Sequence, residues 1–517
     1  MKLSCGNSLI YSSWSILVAL LTSLCVTTNS SAQTIPLEGG SSSNHFSVTP
    51  TFSSTETWTN NISPVARAKK SGWISEISPG VNIRSDAGRV KGYLNYSLNL
   101  LNYSDGQVRN SVQNSLNSSV NMEIIDGHGF IDVTGAVTQQ TISAFSVQTN
   151  NNNINSNKTE VSSYSIAPYY RGRISNILNY EAKYGLTTTQ VKNSDNFSSN
   201  ENLISLNLNG EDFWEKLSWA LTANRQLISR HNLADTEVDA VDLSINYPIT
   251  NKLIFSISGG RESQNYTSAG KETSWTSGMG LNWSVSEMTK LSANLDNNPL
   301  GKMHSLNFEH RTPRTSWRIS DVKSVSLSNS KSQINSGNNY DLLYSQFSSI
   351  ETDPIKRAQL VSNYLQTYGI SPNATLINGY LTSGTSLQRS QNISFALLGI
   401  RDTIIFTAIR SVGNNIGTSI LTTNDFNNSS TIRQNGLTIS YTHRLTESTT
   451  VSNQFSVQKI YGELDSQNSE LKSNNIGVST RVSSRAYFTL GARHSISSGS
   501  SFPYKETSVT GNLTVQF

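Results

Sequence analysis

Histidine is the residue type in this sequence that is best suited to metal binding or to acid–base chemistry near neutral pH. The chain has seven, spread over its length: His45, His128, His231, His304, His310, His443 and His494. None belongs to an HExxH motif or to another metal-site spacing, and the sequence has no P-loop, GxSxG elbow or dinucleotide-binding fingerprint. We therefore expect isolated histidines in loops or at strand ends, with no metal and no cofactor.

A serine next to a histidine on the outside of a β-barrel is the arrangement that outer-membrane phospholipases and deacylases use. His310 and His443 beside a strand serine would imitate it. Serine is so frequent in this chain that such adjacency carries little information. We expect that the protein is not an enzyme, and a lipid-modifying activity ranks third among the functions considered.

Charged residues that a period-two alternation places toward the lumen of a barrel form a second candidate set. They are Arg89, Lys91, Glu181, Lys183, Glu262, Glu309, Arg311, Arg318, Arg481 and Arg493. An excess of arginine in the lumen predicts selection of anionic solutes, above all by Arg311, Arg318, Arg481 and Arg493. The alternative is that these charges pair across strands and stabilise the wall.

The stretch from Asp353 to Gly369 has the pattern of an amphipathic helix. Asp353 is a suitable N-cap and Pro354 a suitable first residue, while Gly369 ends the pattern. The apolar stripe of this predicted gating helix consists of Ile355, Ala358, Val361, Leu365 and Tyr368. A shorter stripe precedes it at Leu343, Phe347 and Ile350. We expect a helical hairpin that either caps the outside rim or folds into the mouth or lumen as a gate.

The elements that position these residues are β-strands, and the last strand is the clearest. From Thr507 to Phe517, apolar residues alternate with Thr510, Asn512, Thr514 and Gln516. A strand of about ten residues with one apolar and one polar face is typical of a membrane-spanning barrel. A terminal aromatic residue resembles the closing strand of bacterial outer-membrane barrels, which implies that Phe517 is a signal for the barrel assembly machinery.

Similar alternation recurs along the chain, and it predicts an all-β fold, a transmembrane antiparallel β-barrel of about 22 strands spanning residues 45–517. Short turns alternate with long loops, so all the short turns fall on the periplasmic side if the N-terminus starts there. The strand pattern runs from Phe130 to Val147, and the Asn-rich tract 150–157 is expected to be a solvated loop tip or disordered. After Asp321 the alternation stops until Ser386, which predicts a long extracellular loop over 322–385 that carries the helical insertion.

Composition agrees with a barrel that is exposed to lipid. Charged residues make up only 14% of the chain and apolar residues 35%, whereas about 25% is usual for charged residues in soluble domains. The formal net charge of +4 is too small to predict nucleic-acid binding. Residues 1–32 read as a secretory signal peptide with cleavage after Ala32, and residues 33–44 as a short periplasmic segment. The bulky Leu24 before Cys25 argues against a lipid anchor.

Four motifs, by their order and spacing, resemble one family. They are Ile77-Ser78-Pro79-Gly80, the Asp353-Pro354 helix, Gln388-Arg389 and Gly399-Ile400-Arg401-Asp402-Thr403. Together they resemble the outer-membrane barrel family associated with the PEP-CTERM and exosortase system. The resemblance covers essentially the whole mature chain and implies a place in the envelope of a Gram-negative bacterium that makes exopolysaccharide.

Two functions remain open at this stage. The first is a passive or gated channel, associated with exopolysaccharide production or export. The second is a non-conducting structural or assembly scaffold of the outer membrane. The expected partners are outer-membrane lipid, the barrel assembly machinery, and polysaccharide or other envelope proteins. A siderophore-type transporter would need a plug domain of more than about a hundred residues before the barrel. Because the predicted strands already begin at His45, the sequence argues against that class of transporter.

Overall fold

A computed structural model describes residues 46–517 of this chain, with the following exceptions: 86–87, 105–109, 150–152, 176, 214–215, 232, 267–269, 328–342, 345–346, 348–356, 358–360, 362–378, 383, 417–424 and 500–501. The predicted signal peptide and the short segment 33–44 lie outside the described residues.

The described residues form 22 strands. The first eleven are β1 (Phe46–Thr59), β2 (Gly72–Ser85), β3 (Val90–Tyr103), β4 (Ser111–Ile125), β5 (Gly129–Thr141), β6 (Lys158–Ile174), β7 (Leu178–Val191), β8 (Ser199–Phe213), β9 (Leu217–Arg230), β10 (Thr236–Thr250) and β11 (Leu253–Gln264). The rest are β12 (Glu272–Ser286), β13 (Thr289–Asn298), β14 (Gly301–Arg311), β15 (Thr315–Ser326), β16 (Ser386–Leu398), β17 (Asp402–Asn415), β18 (Thr431–Arg444), β19 (Thr449–Tyr461), β20 (Ser469–Ser483), β21 (Ala486–Gly499) and β22 (Tyr504–Gln516).

Each strand pairs antiparallel with its neighbours in the chain, and the first strand pairs with the last. That closing register runs from Thr51 opposite Gln516 to Thr59 opposite Ser508. Closure leaves no free sheet edge. The prediction of an antiparallel barrel of about 22 strands is therefore confirmed.

The two faces of the sheet differ as the alternation predicts. One face carries apolar side chains that are exposed or half-buried on neighbouring strands, such as Trp317 opposite Phe395 and Ile319 opposite Ile393. We call it the outer face. The other, the lumen face, is rich in Ser, Thr and Asn, and these side chains bond across strands, for example from Asn512 to Ser53 at 2.7 Å.

The two ends of the barrel also differ. At one end, which we call the turn end, strands are joined by connections of two to four residues, such as 251–252 between β10 and β11 and 312–314 between β14 and β15. Phe46 and Phe517 also lie there. The other end, the loop end, carries the long connections, including 142–157 and 327–385. The predicted separation of short turns from long loops is thus present, except that the two-residue connection 299–300 between β13 and β14 lies at the loop end.

Some predicted strand ends were wrong. β15 continues past Asp321 to Ser326, because its residues near the loop end stay paired with β16 as far as Ser326 opposite Ser386. Five residues of the predicted loop 322–385 therefore belong to a strand. β5 ends at Thr141 rather than Val147, because the chain beyond it turns inward over the loop end.

Among the described residues, no helix has the length and the apolar character needed to cross a bilayer. The helical insertion predicted within 322–385 is not supported by any α-helix with describable ends. The described residues between 328 and 378 are Leu343, Tyr344, Phe347, Arg357 and Val361, and each has helical backbone conformation.

Candidate functional site

The lumen of the barrel is filled on one side. On β17 and β18, the lumen-facing positions from Thr403 to Gly413 and from Ile432 to Thr442 are all buried. On β12, the lumen-facing Asn282 is exposed and Thr276 is half-buried. The wall formed by β16–β18 is therefore covered by protein, whereas the wall around β12 borders open space.

Part of that cover comes from the connection between β15 and β16. Leu343 and Val361 are completely buried, and they pack with Phe347 against Ala396 of β16 and Ile405 of β17. Ala396 and Ile405 lie opposite each other on the lumen face, near the turn end. We call Leu343, Phe347, Val361, Ala396 and Ile405 the plug contact.

The position of the plug contact implies a long path through the barrel. The connection leaves β15 at Ser326 and returns to β16 at Ser386, both at the loop end. Ala396 is ten residues further along β16, or about 33 Å along the strand at 3.3 Å per residue. The chain between β15 and β16 therefore reaches down the inside of the barrel, and does not only cap its rim.

Of the residues predicted to form a gating helix, Val361 alone is described, and its side chain lies in the plug contact. Asp353, Pro354, Ile355, Leu365 and Tyr368 lie outside the described residues. The helical part of the prediction stays a prediction, but its second placement, within the lumen, agrees with the contacts of Leu343, Phe347 and Val361.

A second obstruction lies at the loop end. We call residues 142–157, between β5 and β6, the crossing loop. Its Ser143 hydroxyl donates a 2.6 Å hydrogen bond to one carboxylate oxygen of Asp425, and its Ala144 amide donates a 2.6 Å hydrogen bond to the other. Asp425 follows β17, and ten strands on one side and eight on the other separate β17 and β18 from β5 and β6. A barrel of this size is roughly 40 Å across, so this bond joins nearly opposite walls.

The crossing loop also contacts two other parts of the rim. The Tyr504 hydroxyl at the start of β22 donates 2.7 Å to the carbonyl of Gln148. The backbone amide of Ile154 donates 3.1 Å to the carbonyl of Ile62, in the β1–β2 connection. The loop is thus fastened on several sides of the mouth.

Apolar contacts lie beneath these hydrogen bonds. Ala144 packs with Tyr380, Phe426, Ile432 and Ile460. A second cluster joins Ile62, Ile74, Leu101 and Tyr103 with Ile154, and a third joins Val161, Val191, Phe197 and Leu381 with Ile142. Because residues of the crossing loop enter all three clusters, its closed position buries apolar area as well as polar groups.

The prediction that the Asn-rich tract would be solvated or disordered was wrong for its described part. Asn153 and Asn157 are each only 4% exposed. The Asn157 amide donates to the carbonyls of Ser143 and Val147, and the Asn155 amide donates to the carbonyl of Val147. An amide side chain both donates and accepts hydrogen bonds, so these residues satisfy backbone groups of a buried loop.

Burial affects the titration of the groups at this junction. Desolvation raises the pKa of the Asp425 carboxyl above its ordinary value, although the bonds from Ser143 and Ala144 oppose that effect. Burial, followed by the nearby charge of Asp425, also raises the pKa of the Tyr380 hydroxyl. The bond between Asp425 and the crossing loop is therefore sensitive to pH.

The open side of the lumen is acidic. Asp242 on β10, Glu262 on β11 and Asp296 on β13 all face it, and the Thr276 hydroxyl donates 2.8 Å to Asp242. Gly260 and Gly278 lie directly beside Asp242 and Asp296, where a Cβ atom would come within 2.2 Å and 2.4 Å of those carboxylates. The small residues leave room for the acidic side chains against the wall.

Arg89 lies in the β2–β3 turn, where it binds Asp126 at 2.6 Å. The other predicted lumen charges lie on the lumen face, and several are paired. Arg493 binds Glu506 at 3.0 Å, Lys183 binds Asp132 at 2.8 Å, and Arg318 lies 3.6 Å from Glu309. The Thr59 hydroxyl donates a further bond to Glu506. These contacts are those expected of charges that stabilise the wall.

Other predicted charges, including Glu181, Arg311 and Arg481, lie near the turn end. Glu181 is opposite Arg171 in the register of β6 and β7. Arg311 donates to the backbone carbonyl of Glu287 at 3.2 Å, and Arg481 is exposed at the end of β20. They are not gathered into one site.

Phe517 and the histidines occupy peripheral positions. The Phe517 amide donates to the carbonyl of Pro50, and its ring is 63% exposed on the outer face. His443 bonds Asp402, and His304 bonds Asp321. In the described part of the chain, no three His, Cys, Asp or Glu residues are grouped so that they could hold a metal ion.

The sequence predicts the apolar stripes that contain Leu343, Phe347 and Val361, but it does not identify their partners Ala396 and Ile405 or the crossing loop. One signal for the barrel side of the plug contact exists: Ile404, Ile405 and Phe406 are three consecutive apolar residues in β17, so one of them must face the lumen. An apolar residue on the lumen face needs a cover, and Ile405 has one. The crossing loop has no comparable signal, because its partners are distant in sequence.

No protein-family model and no curated protein matches this chain. Among solved structures, the chain is similar to the FrpB iron transporter from Neisseria meningitidis, with 9% identity and a TM-score of 0.48 over 91% of this chain and 81% of that one. It is also similar to the siderophore receptor PirA from Acinetobacter baumannii (10% identity, TM-score 0.46, 90% and 80% coverage). A BenF-like porin from Pseudomonas fluorescens has 6% identity and a TM-score of 0.35, with 91% and 99% coverage. At these identities the similarity concerns architecture alone.

Proposed function

We propose that this chain is an outer-membrane β-barrel of a Gram-negative bacterium that forms a gated channel. An apolar outer face and a polar lumen face suit a wall between lipid and water. The turn end is then periplasmic and the loop end extracellular. Partners of such a barrel are outer-membrane lipid and the assembly machinery that inserts it.

The plug contact is the observation that carries the gating proposal. A segment of the chain's own β15–β16 connection occupies the lumen and holds there through a few apolar side chains, Leu343, Phe347 and Val361. Burying three such side chains contributes about 5–9 kcal/mol before the entropy of ordering the segment is subtracted. A net balance of a few kcal/mol suits a segment that can be displaced.

The solute class follows from the lumen face and from the family resemblance. A wall of Ser, Thr and Asn offers hydrogen bonds to hydroxyl groups, which suits neutral or weakly charged carbohydrate. Exopolysaccharide or its fragments are therefore the solutes that we propose, in agreement with the resemblance to barrels of the PEP-CTERM and exosortase system.

A non-conducting scaffold is the second candidate. The crossing loop favours it, because hydrogen bonds and three apolar clusters hold that loop across the mouth. In this alternative the protein acts through its surface, as a structural or assembly component of the envelope.

Conductance in planar bilayers separates the two functions. We expect low conductance from the intact chain and clearly higher conductance when Asn338–Gly369 is replaced by a short Gly/Ser linker. Sensitivity of cells to large antibiotics should rise in parallel. A folded, heat-modifiable deletion variant that conducts no more than the parent chain would exclude gating by this segment and leave the scaffold.

A further inference from the structure

The outer face carries a row of cations over seven consecutive strands. One lies in the loop-end half of each strand from β14 to β20. In strand order they are Lys302, Lys323, Arg389, Arg410, Arg433, Lys459 and Lys472. We call this row the cationic arc, and we propose that it binds the phosphate groups of lipid headgroups in the outer leaflet.

The arc lies directly above the apolar part of the wall. On β17, the outer-face residues from the turn end upward are Ile404, Phe406 and Ala408, followed by Arg410. On β18, Tyr441, Ile439 and Leu437 lie below Arg433, with Asn435 between. Along the strand, Arg410 lies about 20 Å from Ile404 and Arg433 about 26 Å from Tyr441, which is comparable with the height of the apolar band of a membrane barrel. The cations are therefore at the level of the headgroups.

Like charges are crowded within the arc. Lys323 is directly opposite Arg389, and Val412 alone separates Arg389 from Arg433 in the cross-strand register. Arg410 is two residues from Val412 on the same face. The backbones of these arginines thus lie within about 10 Å of one another. Like charges in such positions destabilise a sheet unless an anion lies between them.

The chain itself supplies few anions here. Asp321 accepts bonds from the Arg389 guanidinium at 2.6 and 2.9 Å, and Glu470 lies between Lys459 and Lys472 at 3.3 and 3.2 Å. Within the described part of the chain, Arg410 and Arg433 have no carboxylate at ion-pair distance. These two exposed guanidinium groups are the centre of the proposed site.

Outer-face charges elsewhere on the barrel are arranged differently. Arg225 on β9 binds Glu237 at 2.6 Å and lies 3.6 Å from Asp239, and Lys271 binds the same two carboxylates. On β1, the corresponding face carries Glu56. The excess of cations is thus a property of the β14–β20 sector and not of the whole circumference.

The ligand that fits is a phosphorylated lipid. Guanidinium groups bind phosphate through paired, charge-assisted hydrogen bonds. The arc is about 29 Å wide, since seven strands lie about 4.8 Å apart, and it faces the membrane rather than the lumen. A diphosphorylated glycolipid of the outer leaflet matches this width, height and charge. The inference rests on the proposed outer-membrane location but not on conduction.

The test measures lipid binding to the full mature chain in nanodiscs by native mass spectrometry. The lipids are diphosphoryl lipid A and the same lipid without its phosphates. We expect the Arg410→Gln/Arg433→Gln variant to bind diphosphoryl lipid A roughly tenfold more weakly, as the loss of charge-assisted hydrogen bonds implies. The matched control is Arg225→Gln/Arg261→Gln, because these two arginines lie on the outer face of β9 and β11, outside the arc. This variant should bind like the parent chain.

Heat-modifiable migration on gels checks that both variants are folded. Equal binding of the phosphorylated and dephosphorylated lipids, or an unchanged affinity in the Arg410/Arg433 variant, would overturn the proposal. Displacement of the lipid by millimolar inorganic phosphate would also overturn it in favour of a site for free phosphate. Binding is measured whether or not the barrel conducts, so a failure here is distinct from a failure of the channel proposal.

Discussion

At the scale of single residues, Asp425 combines features that suit a latch, meaning a side chain that holds the crossing loop over the mouth of the barrel. Its carboxylate accepts two short hydrogen bonds from the crossing loop, and its surroundings desolvate it. Removing one partner of a buried polar contact leaves the other unsatisfied, which is costly. The bond between Asp425 and the crossing loop therefore favours the closed mouth, and its loss should favour opening.

The latch should respond to pH in a defined direction. In the closed state the pKa of Asp425 is above 3.8, whereas an open mouth would return the carboxyl to solvent and to that ordinary value. The closed state thus binds the proton more tightly, so protonation stabilises it. That stabilisation is complete below pH 3.8 and is lost as pH rises through the raised pKa. We expect single-channel open probability to rise with pH over this window.

Substitutions test the same point. Asp425→Ala should raise open probability, and Asp425→Asn should remove the pH dependence over that window. Asp465→Asn changes a carboxylate in another loop-end connection, between β19 and β20, and serves as the control. If Asp425→Asn keeps the pH response of the parent chain, another group is responsible.

Ion selectivity is a second residue-scale property. The sequence predicts anion preference from Arg311, Arg318, Arg481 and Arg493. The structure gives a competing expectation, because Glu309 and Glu506 partly or wholly neutralise two of these arginines, while Asp242 and Asp296 line the open side. Charges lining a pore act on ions at close range.

We therefore expect Asp242→Asn/Asp296→Asn to shift the reversal potential in a salt gradient toward anions. Arg318→Gln/Arg493→Gln should produce a smaller shift toward cations. A larger effect from the arginine pair would restore the original expectation that arginines set selectivity.

At the scale of elements, β17 provides a matched test of the plug contact. Ile405 faces the lumen and is 2% exposed, whereas Ile404 is its neighbour on the outer face. Ile405→Ala removes buried area and leaves a cavity, so the β15–β16 connection should be held less tightly by about 2–4 kcal/mol. We expect flickering conductance from Ile405→Ala and parent-like traces from Ile404→Ala. Identical traces would show that Ile405 does not hold the plug.

The same strand illustrates what the sequence can predict. Period-two alternation is local, so the strands, their number and the two faces follow from it. The apolar stripes of Leu343, Phe347 and Val361 predict that this segment is buried, but they do not identify Ile405 as a partner. The contact between Ala144 and Asp425 depends on residues brought together across the barrel, and no local pattern encodes it. Strand ends were also missed where hydrogen bonding continues above the apolar band, as in β15 from Val322 to Ser326.

At the scale of the whole molecule, the barrel is obstructed at two levels. The plug contact is near the turn end, and the crossing loop lies over the loop end. The two obstructions share no residue, but Tyr380 and Leu381 of the β15–β16 connection pack with Ala144 and Ile142 of the crossing loop. We therefore expect their effects on opening to be coupled rather than additive in free energy. A channel would need both to move, whereas a scaffold would need neither.

The orientation of the whole molecule provides the last prediction. Cys5 and Cys25 are the only cysteines in the sequence, and both precede the predicted cleavage after Ala32. Single cysteines can therefore be labelled without background in the mature protein. Arg67→Cys and Asp465→Cys lie at the loop end, and Arg485→Cys and Glu447→Cys lie at the turn end. In intact cells a membrane-impermeant maleimide should label the first pair and not the second, while lysed cells should show all four labelled. Labelling of the turn-end pair in intact cells would invert the proposed orientation, and with it the leaflet that the cationic arc faces.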